Sequence, residues 1–341
     1  MAIALVTGGA GFLGSHLVDR LLEADVVVRV LDNLATGSLR NLKPEDNGPG
    51  APRPAAGSSG RRLEVVLGDV RDEQLVRKAM RQVDCVFHLA ALHAGALAGH
   101  HQGEMHAVNV QGTLSVLQAA TAEGVRRLVF ASCGSVYGPT GPGVVIEDDP
   151  PRPGSLFAAS KLAGEIYCRA HSSRYQLETV LLRYFTVYGS RQRVSDALVP
   201  ALMESVQRGA RPAVDGDGQR GRDLLHVDDA VAATVAAGAA PAAAGLCLNI
   251  ASGQSASALE VIAILNRLFR TEVTPRRGRS PAAEITSARV SPALAGRVLG
   301  WSASVTLPVG LSRLVPSAGD GHRSVHPILA EVGSVEERAD L

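Results

Sequence analysis

Ile3-Ala4-Leu5-Val6-Thr7-Gly8-Gly9-Ala10-Gly11-Phe12-Leu13-Gly14 is a short apolar run that passes into glycines spaced three apart and then into a helical pattern. Each spaced glycine meets a separate steric need. Gly8 turns the chain tightly off the strand, Gly11 lets backbone approach a phosphate with no Cβ between them, and Gly14 lets the helix pack against the sheet. The helix opening at Phe12 and Leu13 offers unpaired N–H groups to an anion. Leu17, Val18, Leu21 and Leu22 recur at helical spacing, and Val26 to Leu31 forms a second apolar run ending at Asp32, 18 residues past Gly14. This is a complete strand–helix–strand unit, and its loop suits a dinucleotide pyrophosphate. Asp32 stands where an acidic residue accepts hydrogen bonds from the adenosine ribose and repels the extra phosphate of NADP, so the expected cofactor is NAD.

A chain of 341 residues is long enough for two lobes at about 150 residues each. With 46% hydrophobic and 20% charged residues it reads as globular, and a net charge of +1 gives no general attraction to nucleic acid or anionic membrane. Cys85, Cys133, Cys168 and Cys247 show no C-x-x-C spacing, which predicts neither a zinc site nor a disulfide framework and suits a reducing cytoplasm. The first strand follows Met1 almost directly, leaving no room for a signal peptide, and no apolar run reaches membrane-spanning length.

Beyond Asp32, the turn-rich Asn33-Leu34-Ala35-Thr36-Gly37 is where an adenosine would rest, and Pro44 to Gly60 reads as a mobile surface insertion. Leu63 to Leu67 forms a third strand, followed by Asp69 and Val70; Asp69 could meet the adenine edge or cap the helix starting near Asp72. Val83 to Ala91 is a fourth strand, whose small last residues in Leu89-Ala90-Ala91 let a flat cofactor lie against the backbone; His88 within it reads as a satisfied core histidine. His93, His100, His101, Glu104 and His106 crowd one segment, but their spacing lacks the H-E-x-x-H pattern and a solvated helix start is expected, with no metal. A helix through Leu114, Val116 and Leu117 ends near Gly124. Leu128 to Ala131 is the fifth strand, delivering Ser132-Cys133-Gly134-Ser135-Val136-Tyr137-Gly138 to the carboxyl edge of the sheet, where ligands of open α/β sheets bind. Phe157 and Lys161, four residues apart, share a face of the next helix.

These pieces resemble the extended short-chain dehydrogenase/reductase family, in its NAD-dependent nucleotide-sugar epimerase/dehydratase group of the UDP-glucose 4-epimerase-like kind. The resemblance spans about residues 1–312 and rests on many ordered matches. They include the glycine loop, Asp32-Asn33-Leu34, Gly68-Asp69-Val70-Arg71-Asp72, His88-Leu89-Ala90-Ala91, Asn109-Val110-Gln111-Gly112-Thr113 and Ser135-Val136-Tyr137-Gly138. Further on come Arg183-Tyr184-Phe185-Thr186-Val187-Tyr188-Gly189, Gly216-Asp217-Gly218 through Arg222-Asp223, and His226-Val227-Asp228-Asp229. It implies a Rossmann-type doubly wound parallel sheet over 1–182, completed by about 224–255. A smaller α/β substrate-binding lobe follows from 183–223 and 256–315, and 316–341 is a flexible tail. A homodimer is also implied.

In that family a Tyr-x-x-x-Lys pair works with a Ser or Thr four residues before the Tyr of the V-Y-G motif. Here Lys161 is present, but Phe157 stands in the tyrosine position and Cys133 in the Ser/Thr position. A phenyl ring cannot take a proton, and loss of a positioned acid/base costs about 10² to 10⁴ in rate. Three readings stay open: an introduced inactivating substitution, a natural variant using Tyr137, His93 or Cys133 as base, or a protein that binds cofactor without redox turnover. By resemblance the backbone of Tyr184 and Val187 lies beside the nicotinamide, and His93, Ser135, Thr186, Val199, Arg222 and Arg277 face a nucleotide-diphosphate sugar. Arg222 and Arg277 suit the diphosphate, since a guanidinium fork matches its oxygens. Thr186 replaces a frequent Asn and gives fewer bonds. Asp228 is expected to cap the helix from Ala230, Leu259 to Phe269 to form an amphipathic helix, and Leu299-Gly300-Trp301 to close the fold. The implied activity is a UDP-sugar 4-epimerase acting through a 4-keto sugar. A UDP-glucuronic acid decarboxylase is the alternative, and an inactive NAD- and sugar-nucleotide-binding protein the alternative of another class.

Overall fold

The computed structural model describes residues 3–42, 62–93, 102–140, 143–194, 197–278 and 289–315. The insertion, His100, His101, Arg279 and the tail lie outside them. β1 (Ile3–Thr7), α1 (Phe12–Glu23) and β2 (Val27–Asp32) form the opening unit, and β3 (Leu63–Leu67), α2 (Glu73–Ala79) and β4 (Cys85–His88) the next. α3 (Gln102–His106) passes through a π-helical turn at Ala107–Gln111 into α4 (Gly112–Ala122), and β5 (Arg127–Cys133) follows. After the two-residue β6 (Val144–Val145) come α5 (Leu156–Arg174), β7 (Glu178–Tyr184), β8 (Thr186–Tyr188), α6 (Leu198–Gln207) and β9 (Ala213–Val214). The chain ends through β10 (Gly221–His226), α7 (Val227–Ala239), β11 (Cys247–Ile250), β12 (Ser255–Ser257), α8 (Ala258–Phe269), β13 (Arg276–Arg277), β14 (Arg289–Val290), α9 (Ala293–Leu299) and α10 (Leu307–Ser312).

Seven parallel strands form one sheet in the order β11-β7-β5-β4-β1-β2-β3. The order runs one way from β1 through β2 and the other way through β4, so it reverses between β1 and β4, the switch point at which doubly wound sheets open a crevice. Both faces are covered, as a parallel sheet requires. Leu17, Val18 and Leu21 of α1 pack with α7 on one face, and Val76 of α2, Val116 and Leu117 of α4 and Cys168 of α5 pack on the other. A separate cluster joins Leu202 and Val206 of α6 to Val261 and Leu265 of α8, beside the small β12-β10-β8 sheet.

The structure refines several expectations. β4 stops at His88, short of Ala91, because the next free amide, Ala90 N–H, donates to the Thr7 hydroxyl (3.3 Å) and leaves the ladder. β7 runs on to Tyr184, held between Cys133 of β5 and Ile250 of β11. Asp228 does not cap α7: His226 is the N-cap, while Asp228 pairs with Arg313 at 2.9 Å. The next residue, Asp229, is the structural carboxylate, accepting from the backbone N–H groups of Ser304 and Val305, and its own carbonyl accepts from the Trp301 indole at 3.0 Å. α2 is capped by Asp72, not Asp69. Asn109 and Val110 fall in a π-helical turn that the apolar pattern gave no sign of.

Arg127 is almost fully buried and donates to the carbonyls of Ala237, Gly238 and Ala240 at the end of α7, while pairing with Glu178. Arg127→Met strands these carbonyls and is expected to lower unfolding free energy by about 3 kcal/mol or more. In urea denaturation Arg20→Met, which breaks only the exposed Arg20–Glu23 pair, shifts stability by less than about 0.5 kcal/mol.

Candidate active site

At the switch point the loops after β1 and β4 touch. Gly8 has φ +71°, and a Cβ there would sit 2.7 Å from Ala90 N, so glycine is required for both conformation and space. A Cβ on Gly14 would collide with the Gly8 carbonyl oxygen, so this glycine lets α1 close onto the loop itself; packing on the sheet is the lesser part of its role. Gly11 is the N-cap of α1, and no side chain caps the N–H groups that follow at Phe12 and Leu13.

A buried polar chain fixes the two strand ends. The Thr113 hydroxyl donates to the Asn109 carbonyl at 2.6 Å, so it accepts from His88 Nε2 (3.0 Å). His88 Nδ1 is then the acceptor for the Thr7 hydroxyl at 2.7 Å, and Thr7 Oγ1 keeps a lone pair for Ala90 N–H. Burial pushes His88 down to about 3, so the imidazole stays neutral, and it is the satisfied core histidine expected.

The end of β2 is equally tied. Asp32 accepts from Ala10 N (2.9 Å) and Leu34 N (2.8 Å), which joins it to the glycine loop and to its own turn and leaves carboxylate lone pairs for a further donor. A Cβ on Gly37 would press on the Ala10 backbone, so the Thr36-Gly37 turn also lies against the glycine loop. Asp69 takes a two-pronged contact from Arg71 (2.8 and 2.7 Å) and accepts from Asn33 Nδ2 at 2.9 Å. The Arg71 hydrogen bonds hold this carboxylate down at about 2, and the Asn33 bond links the β2 and β3 loops. Val70 is buried against Gly112.

Across the crevice, α5 starts at a Ser155 cap and presents Phe157, Ser160 and Lys161. A Cβ on Gly164 would lie 2.5 Å from the Phe130 ring; its absence lets the helix close on β5 and seats Lys161 Nζ 4.4 Å above that ring. Lys161 is 3% exposed and has no ion-pair or hydrogen-bond partner among the described residues. Burial pushes it down to about 8. Cys133 Sγ contacts Ser135 Oγ at 2.8 Å, and burial raises the thiol, which is protonated at neutral pH. Tyr137 points elsewhere: its hydroxyl donates to Asn249 Oδ1 at 2.7 Å, and burial pushes it up to about 12. His93 lies edge-on to Phe157, ring centroids 6.5 Å apart.

Sequence reasoning assigned no role to Asn109, which brackets Leu92 by accepting from its N–H (2.7 Å) and donating to its carbonyl (2.8 Å), and also reaches Ser160 Oγ at 2.9 Å. A lone Asn in a helical run carries no signal of this; the π-helical turn that aims it is a common device at functional sites. Glu165 and Arg183 were missed too. They form a buried bidentate pair (2.9 and 2.7 Å) one turn beyond Lys161, with the Ser132 hydroxyl donating to Glu165.

In the second lobe Arg222 is buried on β10 and lines a small hollow with Leu198, Val214, Asp215 and Arg220; its contact with Asp215 is long, at 3.5 Å. Arg277 is exposed on β13, which pairs with β9 at Val214, and does not line this hollow. Val199 is buried on α6 and Thr186 is half-buried on β8. The Tyr184 hydroxyl turns into the core toward Thr234 at 2.6 Å, so only its backbone can face the crevice. Among the described residues, no group of three or more His, Cys, Asp or Glu is gathered to hold a metal, and no helix is long and apolar enough to cross a membrane.

The profile of the NAD dependent epimerase/dehydratase family matches residues 4–251. A UDP-glucose 4-epimerase from Mycolicibacterium smegmatis is 33% identical over 315 residues, 91% of this chain and 96% of the relative. A UDP-glucose 4-epimerase from Thermotoga maritima, solved with UDP-glucose, superposes with a TM-score of 0.81 at 28% identity, covering 91% of this chain and 96% of that one. MoeE5, solved in complex with UDP-glucuronic acid and NAD, gives 0.78 at 32% identity, covering 91% and 97%.

The two loop glycines separate under mutation. Gly14→Ala is expected to lower the thermal midpoint by several degrees through the clash with Gly8. Gly11→Ala, whose Cβ would meet that carbonyl at 3.2 Å, lowers it less in the same melting experiment.

Proposed function

The chain belongs to the NAD dependent epimerase/dehydratase family, enzymes that use NAD, and from that membership we propose that it is a UDP-sugar 4-epimerase working through a 4-keto sugar. The observation that carries this reading is Lys161, a buried ammonium at the carboxyl edge of the sheet with no ion-pair or hydrogen-bond partner among the described residues. An amino group held there without a partner costs on the order of 3 kcal/mol in its charged form. A cofactor ribose hydroxyl would supply the missing acceptor.

The residues present fit NAD. The uncapped N–H groups of Phe12 and Leu13 and the cradle at Gly8, Gly11 and Gly14 suit the pyrophosphate, Asp32 the adenosine ribose, Asn33, Thr36, Gly37, Asp69 and Val70 the adenosine surroundings, and Leu89, Ala90 and Ala91 a flat approach. Lys161, with the backbone of Tyr184 and Val187, would hold the nicotinamide end. When bound, NAD supplies reversible hydride acceptance at one carbon. The chain's part is to place sugar C4 opposite that face. Cys133 and Ser135 would orient the reacting oxygen, Arg222 and Arg277 the diphosphate, and Thr186 and Val199 the nucleotide. Phe157 contributes shape and no proton.

We take 1–182 with 224–255 as the cofactor half and 183–223 with 256–315 as the sugar-nucleotide half. Four free thiols fit a cytoplasmic setting. The exposed Ile166 and Tyr167 on α5 fit a homodimer face, expected to show as twice the chain mass in sedimentation. Two further readings have their own support. A neighbour solved with UDP-glucuronic acid favours a uronic acid decarboxylase, and Phe157 favours a protein that binds NAD and a sugar nucleotide without turnover.

Incubation of the NAD-loaded protein with UDP-glucose, UDP-galactose and UDP-glucuronic acid separates these readings. Glucose–galactose interconversion upholds the first, loss of carbon dioxide the second, and binding without conversion the third. Lys161→Met is expected to weaken NAD binding at least tenfold by calorimetry while raising the melting temperature of the cofactor-free protein. Since burial lowers this ammonium, the unfolded chain holds its proton more tightly. The penalty is therefore relieved as pH rises from about 8 toward 10.5, and Lys161→Met should remove that gain in stability with pH.

A further inference from the structure

We propose that His93 takes the acid/base role that Phe157 cannot perform, receiving the proton of the sugar C4 hydroxyl and returning it. This rests on the nucleotide-sugar reading above. His93 follows β4 at the carboxyl edge of the sheet, and its ring meets Phe157 edge-on at 6.5 Å between centroids, within the range of rings in contact. Phe157 in turn lies one helical turn before Lys161. A sugar oxygen brought to position 157 is therefore brought to the neighbourhood of the imidazole.

That placement is enforced by the residue before it. Asn109 holds Leu92 at both backbone groups and also donates to Ser160, whose hydroxyl donates to the Phe157 carbonyl at 2.8 Å. The circuit from Leu92 through Asn109 and Ser160 to Phe157 pins the His93 segment to the first turn of α5. An ordinary loop histidine has no such clamp. A catalytic base must keep its geometry before its pKa matters, and this one is held at its backbone.

The other two candidates are engaged elsewhere. Tyr137 donates to Asn249 and stacks on Phe185. Cys133 is a half-buried neutral thiol in contact with Ser135. His93 is half-buried, and its imidazole carries one nitrogen that accepts and one that donates a proton. The titratable groups on the elements around it are Lys161 of α5, Cys133 at the end of β5, and Glu104 and His106 of α3, which packs on α5. The step balances: as hydride leaves C4 for bound NAD, the hydroxyl proton passes to the neutral imidazole, leaving a C4 ketone and an imidazolium. Reversal restores both.

The test compares the NAD-loaded wild type, His93→Gln, Phe157→Tyr and the double variant on a panel of UDP-, TDP- and GDP-sugars. The wild type is expected to turn over. His93→Gln should lower kcat at least tenfold with little change in KM. Phe157→Tyr should raise kcat, and adding His93→Gln to it should change little. A readout apart from turnover is the imidazole Cε1 resonance of His93, assigned by its loss in His93→Gln, which should shift with UDP-glucose and stay in place with UDP. Unchanged kcat in His93→Gln, a resonance indifferent to the sugar, or turnover only after Phe157→Tyr each overturns the proposal while leaving the nucleotide-sugar reading intact. Absence of turnover in both wild type and Phe157→Tyr overturns the reading as well.

Discussion

The close approach of two loops at the centre of the sheet is the constraint on which the site depends. β1 and β4 are neighbours, and the turns leaving them run in contact because Gly8 has no Cβ and Ala90 almost no side chain. The Thr7–His88–Thr113 chain then locks both strand ends with every proton assigned. A neutral histidine in this position does the work of a polar rivet. It leaves the turns free of side chains where a flat ligand must lie, while paying for burial with two hydrogen bonds.

Much of this was legible in the chain. The glycine spacing, the apolar strands and Asp32 define the opening unit because they report backbone need directly: a turn, a close approach, an acceptor at a strand end. Lys161 was legible for the same reason, as a cation at helical spacing in a motif. What was hidden belongs to contacts between distant segments. Asn109 acts on Leu92 and Ser160, and Asp229 on Ser304 and Val305, so neither has a local pattern. Asp228 looked like a cap because it sits near a helix start, yet His226 fills that place and the helix begins at Val227, ahead of Asp228. Asp69 was open to two uses, and the Arg71 fork consumed most of its acceptor capacity.

Proton chemistry and cofactor positioning are separable here. The groups that would seat NAD are packed into the sheet and its first turns. Phe157 and Cys133, two departures from the family pattern, lie against His93 and Ser135. Behind them, Glu165 and Arg183 form a pair with both side chains at least 96% buried, in a layer with Ser132 and Tyr137. Such a pair is costly to break and stiffens α5 against β5 and β7 just beyond Lys161. The frame that holds a reacting centre can therefore be kept while the proton donor on its front wall is exchanged.

The indole of Trp301, seated on the Asp229 carbonyl, is the only one in the chain. Asp229 lies in the first turn of α7, which continues directly from β10, the strand that carries Arg222. Any disturbance of that junction alters the surroundings of a single emitter. Tryptophan fluorescence of this protein therefore has one structural address, and a change in its colour can be ascribed to the seam between the closing segment and the start of α7 without any attached dye.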